Sequence, residues 1–299
     1  MGVGNRRLQG GWRLRAALAL AGAMVSSAHA LQPGQGKLLL TGGVSSIDGA
    51  AGGGLTPWAV IGSYATSGEL GATAFITRAT TQDYGLTTVG AAVGLLDRFE
   101  LSIARQALDA SVVVPDTTLK LDIVGIKARV AGDAVLDADT LMPQIAVGAE
   151  FKRLDPGLAV GGVLDSVSAK RNGVDFYVSA TKLFLAQGIL VNGTLRATKA
   201  NQNGLLGFGS DDKQGYSLKP EISLAVLLSR NIAIGAEYRF KPNNLAFAGA
   251  AFEEHAWKDL FIAWAPTKNV SMTAAYVDLG NIVGHTRQTG GYVSAQLAF

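Results

Sequence analysis

Hydrophobic and polar residues alternate along most of this chain with a period of two. Ile232, Ile234 and Tyr238 are apolar, for example, whereas the interleaved Glu237 and Arg239 are charged. Side chains of a β-strand point alternately to its two faces, so this pattern predicts strands with one apolar and one polar face. Fourteen segments follow the pattern, at 37–44, 57–65, 69–79, 85–95, 99–107, 119–131, 142–152, 173–184, 189–198, 216–228, 232–241, 257–265, 269–278 and 289–299.

The connections between these segments alternate between short and long, with the exception of 132–141, which should be short by this rule and is of intermediate length. Segments 96–98 and 229–231 are tight turns, whereas 154–172 and 199–215 are long and rich in Gly, Asn, Asp and Ser. Outer-membrane barrels show this alternation, with short periplasmic turns and long extracellular loops. The sequence therefore predicts an all-β fold, a closed antiparallel up-and-down transmembrane β-barrel of about 14 strands, with about 12 also compatible.

The three clearest hairpins agree on which face each residue takes. Because a slip of one residue would turn every side chain to the opposite face, this agreement supports the predicted phase. At Gly125 the apolar phase of its segment changes, and a β-bulge is expected there. The turns predict that Leu95 faces Phe99, Leu228 faces Ile232, Leu224 faces Ala236, Glu221 faces Arg239 and Trp264 faces Val270.

A sheet that crosses a membrane has to close on itself, because hydrocarbon offers no partner to unpaired backbone N–H and C=O groups. The apolar face is then expected to contact lipid and the polar face to enclose the lumen. Aromatic residues such as Trp58, Trp257 and Trp264 fall mostly at segment ends, where they would form interface girdles. The charged residues expected to line the lumen are Glu100, Lys127, Arg129, Glu150, Lys152, Arg196, Lys219, Glu221, Glu237 and Arg239.

This predicted lumen set contains six basic and four acidic residues. One interpretation is a water-filled channel with a modest preference for anions. The other is a set of cross-strand ion pairs, such as Glu221 with Arg239, that only fill and brace the barrel. Charges at membrane depth are costly unless they pair or line water, and the sequence leaves both interpretations open.

The two ends of the chain carry export and assembly patterns. Residues 1–30 combine a basic start, a short apolar stretch and Ala28-His29-Ala30, which is typical of a cleavable signal peptide. Residues 31–299 are then expected to form a single outer-membrane barrel domain. The end of the chain resembles the C-terminal signal by which the bacterial barrel assembly machinery receives its substrates. The residues of this signal are Val293, Ala295, Leu297 and Phe299.

The composition favours an exported membrane protein. Only 16% of the 299 residues are charged, against about a quarter in an ordinary soluble domain, and cysteine is absent. The first 30 residues contain four arginines and no acid, so they carry a charge of +4, which is more than the formal net charge of +3 of the whole chain. The remaining chain is therefore not basic and has no charge pattern typical of nucleic-acid binding. No stretch of about 18 apolar residues predicts a transmembrane helix.

Little in the sequence points to catalysis or to a cofactor. The glycine-rich segment 42–54 lacks a phosphate-binding motif and is interpreted either as a flexible outer loop or as a segment folded into the lumen. Beyond residue 30 the only histidines are His255 and His285, both predicted in outer loops. We therefore expect no catalytic residues, no metal ligands and no cofactor, and a hydrolase around Glu253-Glu254-His255 is the least favoured alternative.

Part of the sequence resembles a known family. Segment 39–58 (LLTGGVSSIDGAAGGGLTPW), together with Tyr84-Gly85-Leu86 and Leu101-Ser102, is similar to a family of proteobacterial secreted proteins known only as a domain of unknown function. The resemblance extends over the chain beyond the first 30 residues and implies an outer-membrane-like barrel. It implies no substrate and no catalytic residue.

Together these features predict a porin-like channel of the Gram-negative outer membrane, for passive diffusion of small polar or amphipathic solutes. The alternative is a structural or adhesive barrel that acts through its extracellular loops, which a lumen plugged by side chains or by residues 31–54 would favour. The expected partners are outer-membrane lipid and lipopolysaccharide, the barrel assembly machinery and small-molecule solutes, without nucleic acid.

Overall fold

The computed structural model describes residues 37–40, 42, 44–135 and 140–299, and the predicted signal peptide lies outside them. Twelve antiparallel strands form one closed barrel, in which each strand pairs with its neighbours in the chain and β1 pairs with β12. The strands are β1 (Leu70–Thr81), β2 (Gly85–Leu95), β3 (Phe99–Asp109), β4 (Thr118–Ala131), β5 (Gln144–Asp155), β6 (Asn172–Phe184), β7 (Ile189–Thr198), β8 (Ser217–Ser229), β9 (Ile232–Arg239), β10 (Trp257–Trp264), β11 (Val270–Asp278) and β12 (Thr289–Ala298).

The barrel class is confirmed, and the number of strands in the closed sheet is twelve. The first two predicted strands, 37–44 and 57–65, are wrong, because their described residues run through the periplasmic mouth and the lumen and none of them pairs into the wall. The wall is complete without them, since β1 pairs with β12 on one side and with β2 on the other. A segment enclosed on every side can carry apolar residues in any phase, including the period of two that marks a strand.

The two faces of the wall are oriented as the alternation predicts. On the outer face Leu101 and Leu195 are 51% and 48% exposed, whereas Glu100 and Arg196 beside them are buried inside. This arrangement gives the barrel an apolar belt for lipid and a polar inner surface, as a strand-built membrane crossing requires. A soluble β-sandwich would bury the apolar face instead.

The observed register confirms most of the predicted pairs. Leu95 faces Phe99, Leu224 faces Ala236 and Glu221 faces Arg239. Ile232 faces Ser229 and not Leu228, because the register shifts between Leu227 and Ser229. Trp264 faces Met272 and not Val270, since a longer turn precedes β11, in which the Thr267 hydroxyl accepts backbone N–H groups. That error spans two residues, so the side chains keep their faces.

No bulge occurs at Gly125, which pairs regularly with Ser102 and Glu150. The shift in β4 comes later, between Arg129 and Ala131. The apolar phase changes near Gly125 for another reason: Leu121 and Ile123 point inward and pack against buried chain at one end of the lumen. Inward-facing apolar residues at one end of β4 therefore gave the sequence pattern that a β-bulge would give.

The short turns lie together at one end of the barrel, which marks that end as periplasmic. The opposite, extracellular end carries most of the long connections, including helix α1 (Gly157–Ser166) between β5 and β6. The β1–β2 connection, residues 82–84, is the short exception there, and the β4–β5 connection, residues 132–143, is the long exception at the periplasmic end. None of the helices in the described part of the chain has the length and apolar character that a membrane crossing needs.

Candidate functional site

The lumen is occupied by residues 44–63, which we call the plug. Every residue of the plug is buried. It enters from the periplasmic end, where Lys37 pairs with Asp97 of the β2–β3 turn at 2.6 Å, and it returns to the same end before β1 begins. The Ser63 N–H donates to the Gly42 carbonyl at 2.8 Å and closes the base of this hairpin-like segment. The glycine-rich segment is therefore folded into the lumen, one of the two interpretations of the sequence.

Carboxylates of the wall accept hydrogen bonds from the plug backbone. Glu237 accepts the Leu55 N–H at 2.7 Å and the Thr56 hydroxyl at 2.6 Å. Glu100 accepts the N–H groups of Gly62 and Ala51 at 2.7 and 3.1 Å. A Cβ on Gly53 would collide with the Glu237 carboxylate, which explains a glycine at this close approach.

Donors of the wall satisfy the plug carbonyls. The Lys127 ammonium donates to the carbonyls of Ala51 and Val60, both at 2.9 Å. The Thr194 hydroxyl donates to the Pro57 carbonyl at 2.8 Å. Inside the barrel these side chains take the place of water for a segment that has little regular structure of its own.

Asp48 of the plug lies in the central charge network of the lumen. Its carboxylate is 2.7 Å from Arg239, 3.5 Å from Lys152 and 3.8 Å from Arg196. Burial alone would raise the pKa of Asp48, but these three cations hold the pKa well below its usual range. Asp48 therefore stays ionised and ties the plug to the wall.

Three wall carboxylates complete this central network. Arg196 contacts Glu221 at 2.5 Å and Glu150 at 2.7 Å, while Lys152 contacts Asp175 at 2.9 Å. With Asp48 the network therefore contains four acids and three bases.

A second segment, residues 200–209 of the β7–β8 connection, closes the lumen from the extracellular side, and we call it the lid loop. All ten residues are buried. Leu205 and Phe208 belong to one apolar cluster with the inward-facing Leu119 and Leu121 of β4. The lid loop thereby fills the part of the lumen that the plug does not reach.

The plug and the lid loop meet at Asn203. The Asn203 amide donates to Asp48 at 2.6 Å, and its carbonyl accepts from Arg239 at 2.7 Å and from Lys152 at 3.0 Å. The φ angle of Asn203 is 60°, in the left-handed region that non-glycine residues adopt only at a cost. The contact therefore couples the two segments that fill the barrel.

The lid loop is also held from above by the β9–β10 connection. The Lys241 ammonium donates to the Gln202 side chain at 2.7 Å and lies 3.5 Å from Glu254, which accepts the Gln202 N–H at 2.8 Å. Burial lowers the pKa of Lys241 to about 8, although the nearby Glu254 opposes the shift. These contacts seal the extracellular end, and the residual cavities beside the plug and the lid loop measure only about 30 and 20 Å³.

The structure places most of the predicted lumen residues inside the barrel. Arg129 lies at the periplasmic rim, where it pairs with Asp97 at 2.9 Å and Asp133 at 3.2 Å, and Lys219 lies partly exposed near the extracellular start of β8. The eight that are buried together are Glu100, Lys127, Glu150, Lys152, Arg196, Glu221, Glu237 and Arg239.

Among the polar lumen residues that sequence reasoning missed, four contribute to the charged groups described above or to the site around Glu237. Asp175 and Asp259 lie on the inward phase of β6 and β10, so a stricter use of the alternation could have found them. Asp48 and Asn203 belong to irregular segments, and nothing in their local sequence indicates that they meet in the lumen.

The remaining predicted residues lie outside the lumen. Val293, Ala295, Leu297 and Phe299 are exposed on the outer face at the end of the chain, next to the β1–β12 pairing that closes the barrel, and their role in assembly stays a prediction.

Both histidines beyond residue 30 lie in extracellular connections, as predicted. His255 is exposed, and His285 lies 3.1 Å from Asp83. Within the described residues no group of three or more His, Asp or Glu side chains is arranged to hold a metal ion.

Several solved outer-membrane barrels resemble this chain in structure. A KdgM porin in complex with disordered oligogalacturonate has 11% identity and a TM-score of 0.49, over 76% of this chain and 99% of the porin. A NanC porin has 8% identity and a TM-score of 0.48, over 77% and 99%. Outer membrane phospholipase A from Escherichia coli has 10% identity and a TM-score of 0.42, over 77% and 92%. At such scores the barrel assignment rests on the strand pairing of this chain itself.

The sequence was also compared with curated proteins and with protein families. Among curated proteins none matches the chain. Residues 41–296, which include the plug, the lid loop and nearly the whole wall, match the family described as "Protein of unknown function (DUF3034)". The chain therefore belongs to the DUF3034 family, as the resemblance of segment 39–58 implied.

Proposed function

We propose that this protein is a porin-like channel of the bacterial outer membrane that its own plug and lid loop close, and that it passes small amphipathic solutes once both have moved. The number of charged groups inside the barrel carries the proposal. Each of them is at most 5% exposed. These residues are Asp48, Glu100, Lys127, Glu150, Lys152, Asp175, Arg196, Glu221, Glu237, Arg239 and Asp259.

Burying so many charges costs more stability than filling the same space with apolar side chains. Replacing buried ion pairs by well-packed apolar residues is often neutral or stabilising, by about 1–4 kcal/mol. A barrel that served only as a scaffold could fill the same space with apolar side chains. A charged inner surface fits a lumen that is filled with water in another state, where the same groups are hydrated.

The path of the plug is compatible with such a state. Because both ends of the plug lie at the periplasmic mouth, it can leave the lumen without breaking any pairing between strands. Its backbone is bound to the wall by hydrogen bonds, which water can replace once the segment has left, whereas the apolar packing of Trp58 and Val60 has to be given up.

The inner surface supports an amphipathic solute. Leu183, Leu190 and Phe261 form an apolar band at the periplasmic end, and Leu119 and Leu121 belong to a second band at the extracellular end. The charged network lies between them. A solute with both apolar and polar parts would find complementary surfaces along the whole path.

The expected location and partners follow from the same proposal. The apolar outer belt would lie in outer-membrane lipid and contact lipopolysaccharide at the extracellular end. Export would depend on the signal peptide of residues 1–30, with cleavage near Ala30, and insertion would depend on the barrel assembly machinery and the end of β12.

A second candidate is a structural or adhesive barrel that acts through its extracellular connections. The filled lumen favours it, because the plug and the lid loop are buried inside the barrel and the cavities beside them measure only about 30 and 20 Å³. In that case the charges would only hold the plug in place.

Conductance in planar lipid bilayers separates the two candidates. The full-length opened variant carries two substitutions in the plug and two in the lid loop. In the plug, Asp48→Ala removes the central ion pairs and Gly52→Val places a Cβ against the Thr56–Pro57 backbone. In the lid loop, Leu205→Ser and Phe208→Ser weaken the apolar cluster. We expect rare or no conductance steps from the wild type and steady steps from the opened variant.

A matched control carries Gly162→Val, Leu158→Ser and Val163→Ser in the exposed helix α1, where a Cβ on Gly162 meets open space. The control should behave as the wild type does. An opened variant that keeps its β-sheet circular dichroism and yet shows no steps would overturn the channel proposal in favour of the structural barrel.

A further inference from the structure

The charges inside the barrel fall into three groups that differ in balance. Glu100 and Lys127 form a pair at 3.1 Å. In the central network, departure of Asp48 with the plug leaves three carboxylates facing Lys152, Arg196 and Arg239. The third group, Glu237 with Asp259, has no lysine, arginine or histidine of the described chain within ion-pair distance. An emptied lumen would therefore carry its uncompensated charge at this one place.

A buried hydroxyl and a free carboxylate oxygen converge on the same place. Asp259 accepts the backbone N–H of Glu237 through Oδ1 at 3.1 Å, which ties the Asp259 carboxylate to the strand that carries Glu237. Asp259 Oδ2 is deeply buried and accepts no hydrogen bond from a described residue, while the buried Tyr292 hydroxyl lies beside the hydroxyls of Thr77 and Ser294. A Cβ on Gly54 of the plug would lie 3.4 Å from the Tyr292 hydroxyl and 3.5 Å from Asp259 Oδ2, so both face this glycine.

In the closed state the plug supplies hydrogen-bond donors to this pair. Glu237 accepts the Leu55 N–H and the hydroxyls of Thr56 and Ser223, and only Ser223 belongs to the wall. When the plug leaves, Glu237 loses two of these three donors. A group that replaces the plug there has to offer donors, positive charge or both, as an ammonium or a guanidinium does.

We propose that Glu237 and Asp259 form a cation-binding site in the opened lumen, so that the channel prefers cationic solutes such as primary amines over anions. The inference rests on the proposed channel function. It reverses the modest anion preference expected from the sequence, because Asp175 and Asp259 add acids to the inner surface while Arg129 and Lys219 lie at the rims. Hydrated carboxylates are ionised at neutral pH, so the site would carry two negative charges.

The test measures the reversal potential of the opened full-length variant in a KCl gradient. We expect K⁺ to be more permeable than Cl⁻. Adding Glu237→Gln and Asp259→Asn should lower the K⁺/Cl⁻ permeability ratio by at least about fivefold, because a single unit charge about 4 Å from a permeating ion already produces that factor in water and the two substitutions remove two charges. Methylammonium chloride in place of KCl should show the same change.

The control Asp122→Asn removes one carboxylate from the exposed outer face of β4 and should leave the ratio unchanged. If the double substitution prevents folding, Asp259→Asn alone gives the same test, with a smaller decrease expected.

Anion preference, no preference or an unchanged ratio in a conducting channel would overturn this inference and leave the channel proposal standing. Absence of conductance from the folded opened variant would overturn both.

Discussion

The plug and the lid loop fill the same barrel from opposite ends, but the wall holds them by different means. The backbone of the plug is bound by polar and charged side chains such as Glu237 and Lys127, and only part of the plug, including Trp58, packs against apolar residues of the wall. The lid loop packs Leu205 and Phe208 into an apolar cluster, and its polar contacts with the charged side chains of the wall strands come from Asn203. Water can replace the first kind of contact, whereas exposing the second kind has a large and unfavourable free energy.

This difference indicates which segment moves first. A plug whose backbone is bound by hydrogen-bonding side chains can exchange with water one contact at a time. A lid loop that is docked by apolar side chains should leave only as a unit. The single strong polar link between them, Asn203 with Asp48, means that loss of the plug also weakens the lid loop.

The largest expected effect comes from Asp48→Ala. This substitution leaves Arg239, Lys152 and Arg196 with one counter-charge fewer, and breaking a buried ion pair in this way costs about 3–5 kcal/mol. Amide hydrogen exchange of residues 44–63 should become much faster, with a smaller increase in the lid loop. Unchanged exchange in the plug would show that its polar contacts do not hold it.

Leu205→Ala addresses the apolar side of the comparison. Truncating a buried leucine costs about 2–5 kcal/mol through lost burial and the cavity left behind. Exchange of residues 200–209 should accelerate while residues 55–62 of the plug stay protected. Equal acceleration of both segments would mean that they open together and that the comparison fails.

The pH dependence should also distinguish the two segments. The pKa of Lys241 is lowered to about 8, so between about pH 8 and 10 the detached lid loop binds more protons at Lys241 than the docked one. Docking should therefore strengthen as the pH rises through this window, by at most about 1.4 kcal/mol per pH unit. Hydrogen-exchange protection of the lid loop, corrected for the intrinsic exchange rate, should rise with pH in the wild type and stay constant in Lys241→Met. A rise of protection with pH in the variant would contradict the assignment of this pH dependence to Lys241.

The smallest effect is expected from Thr194→Val, which removes one hydroxyl donor from the Pro57 carbonyl without changing the size of the side chain much. The loss of one such hydrogen bond costs about 1 kcal/mol, and the Ser179 hydroxyl at 3.2 Å can partly replace it. Amide hydrogen exchange near Trp58 should become modestly faster, and the exchange rates in the lid loop should stay unchanged. Thr80→Val, on the lipid-facing phase of β1, is the matched control.

The alternation of side chains determined the wall of this barrel. Strands β2 and β7 begin and end at the predicted residues, and the pairs Leu95 with Phe99 and Glu221 with Arg239 are present. Lipid on one side and a polar interior on the other impose a period of two on every crossing strand, so this part of the fold is encoded locally. Most of the inward charges followed from the same rule.

Only the tertiary structure decided what the barrel contains. The contact of Asn203 with Asp48 joins residues 155 positions apart, and neither segment has a repeating pattern that reveals its neighbours. The plug is enclosed on all sides, so each of its residues matches the wall side chain that it contacts. Its apolar and polar residues therefore follow no regular period along the chain. For that reason 37–44 and 57–65 looked like strands, and the charges expected to face water were found to face a folded segment of the same protein.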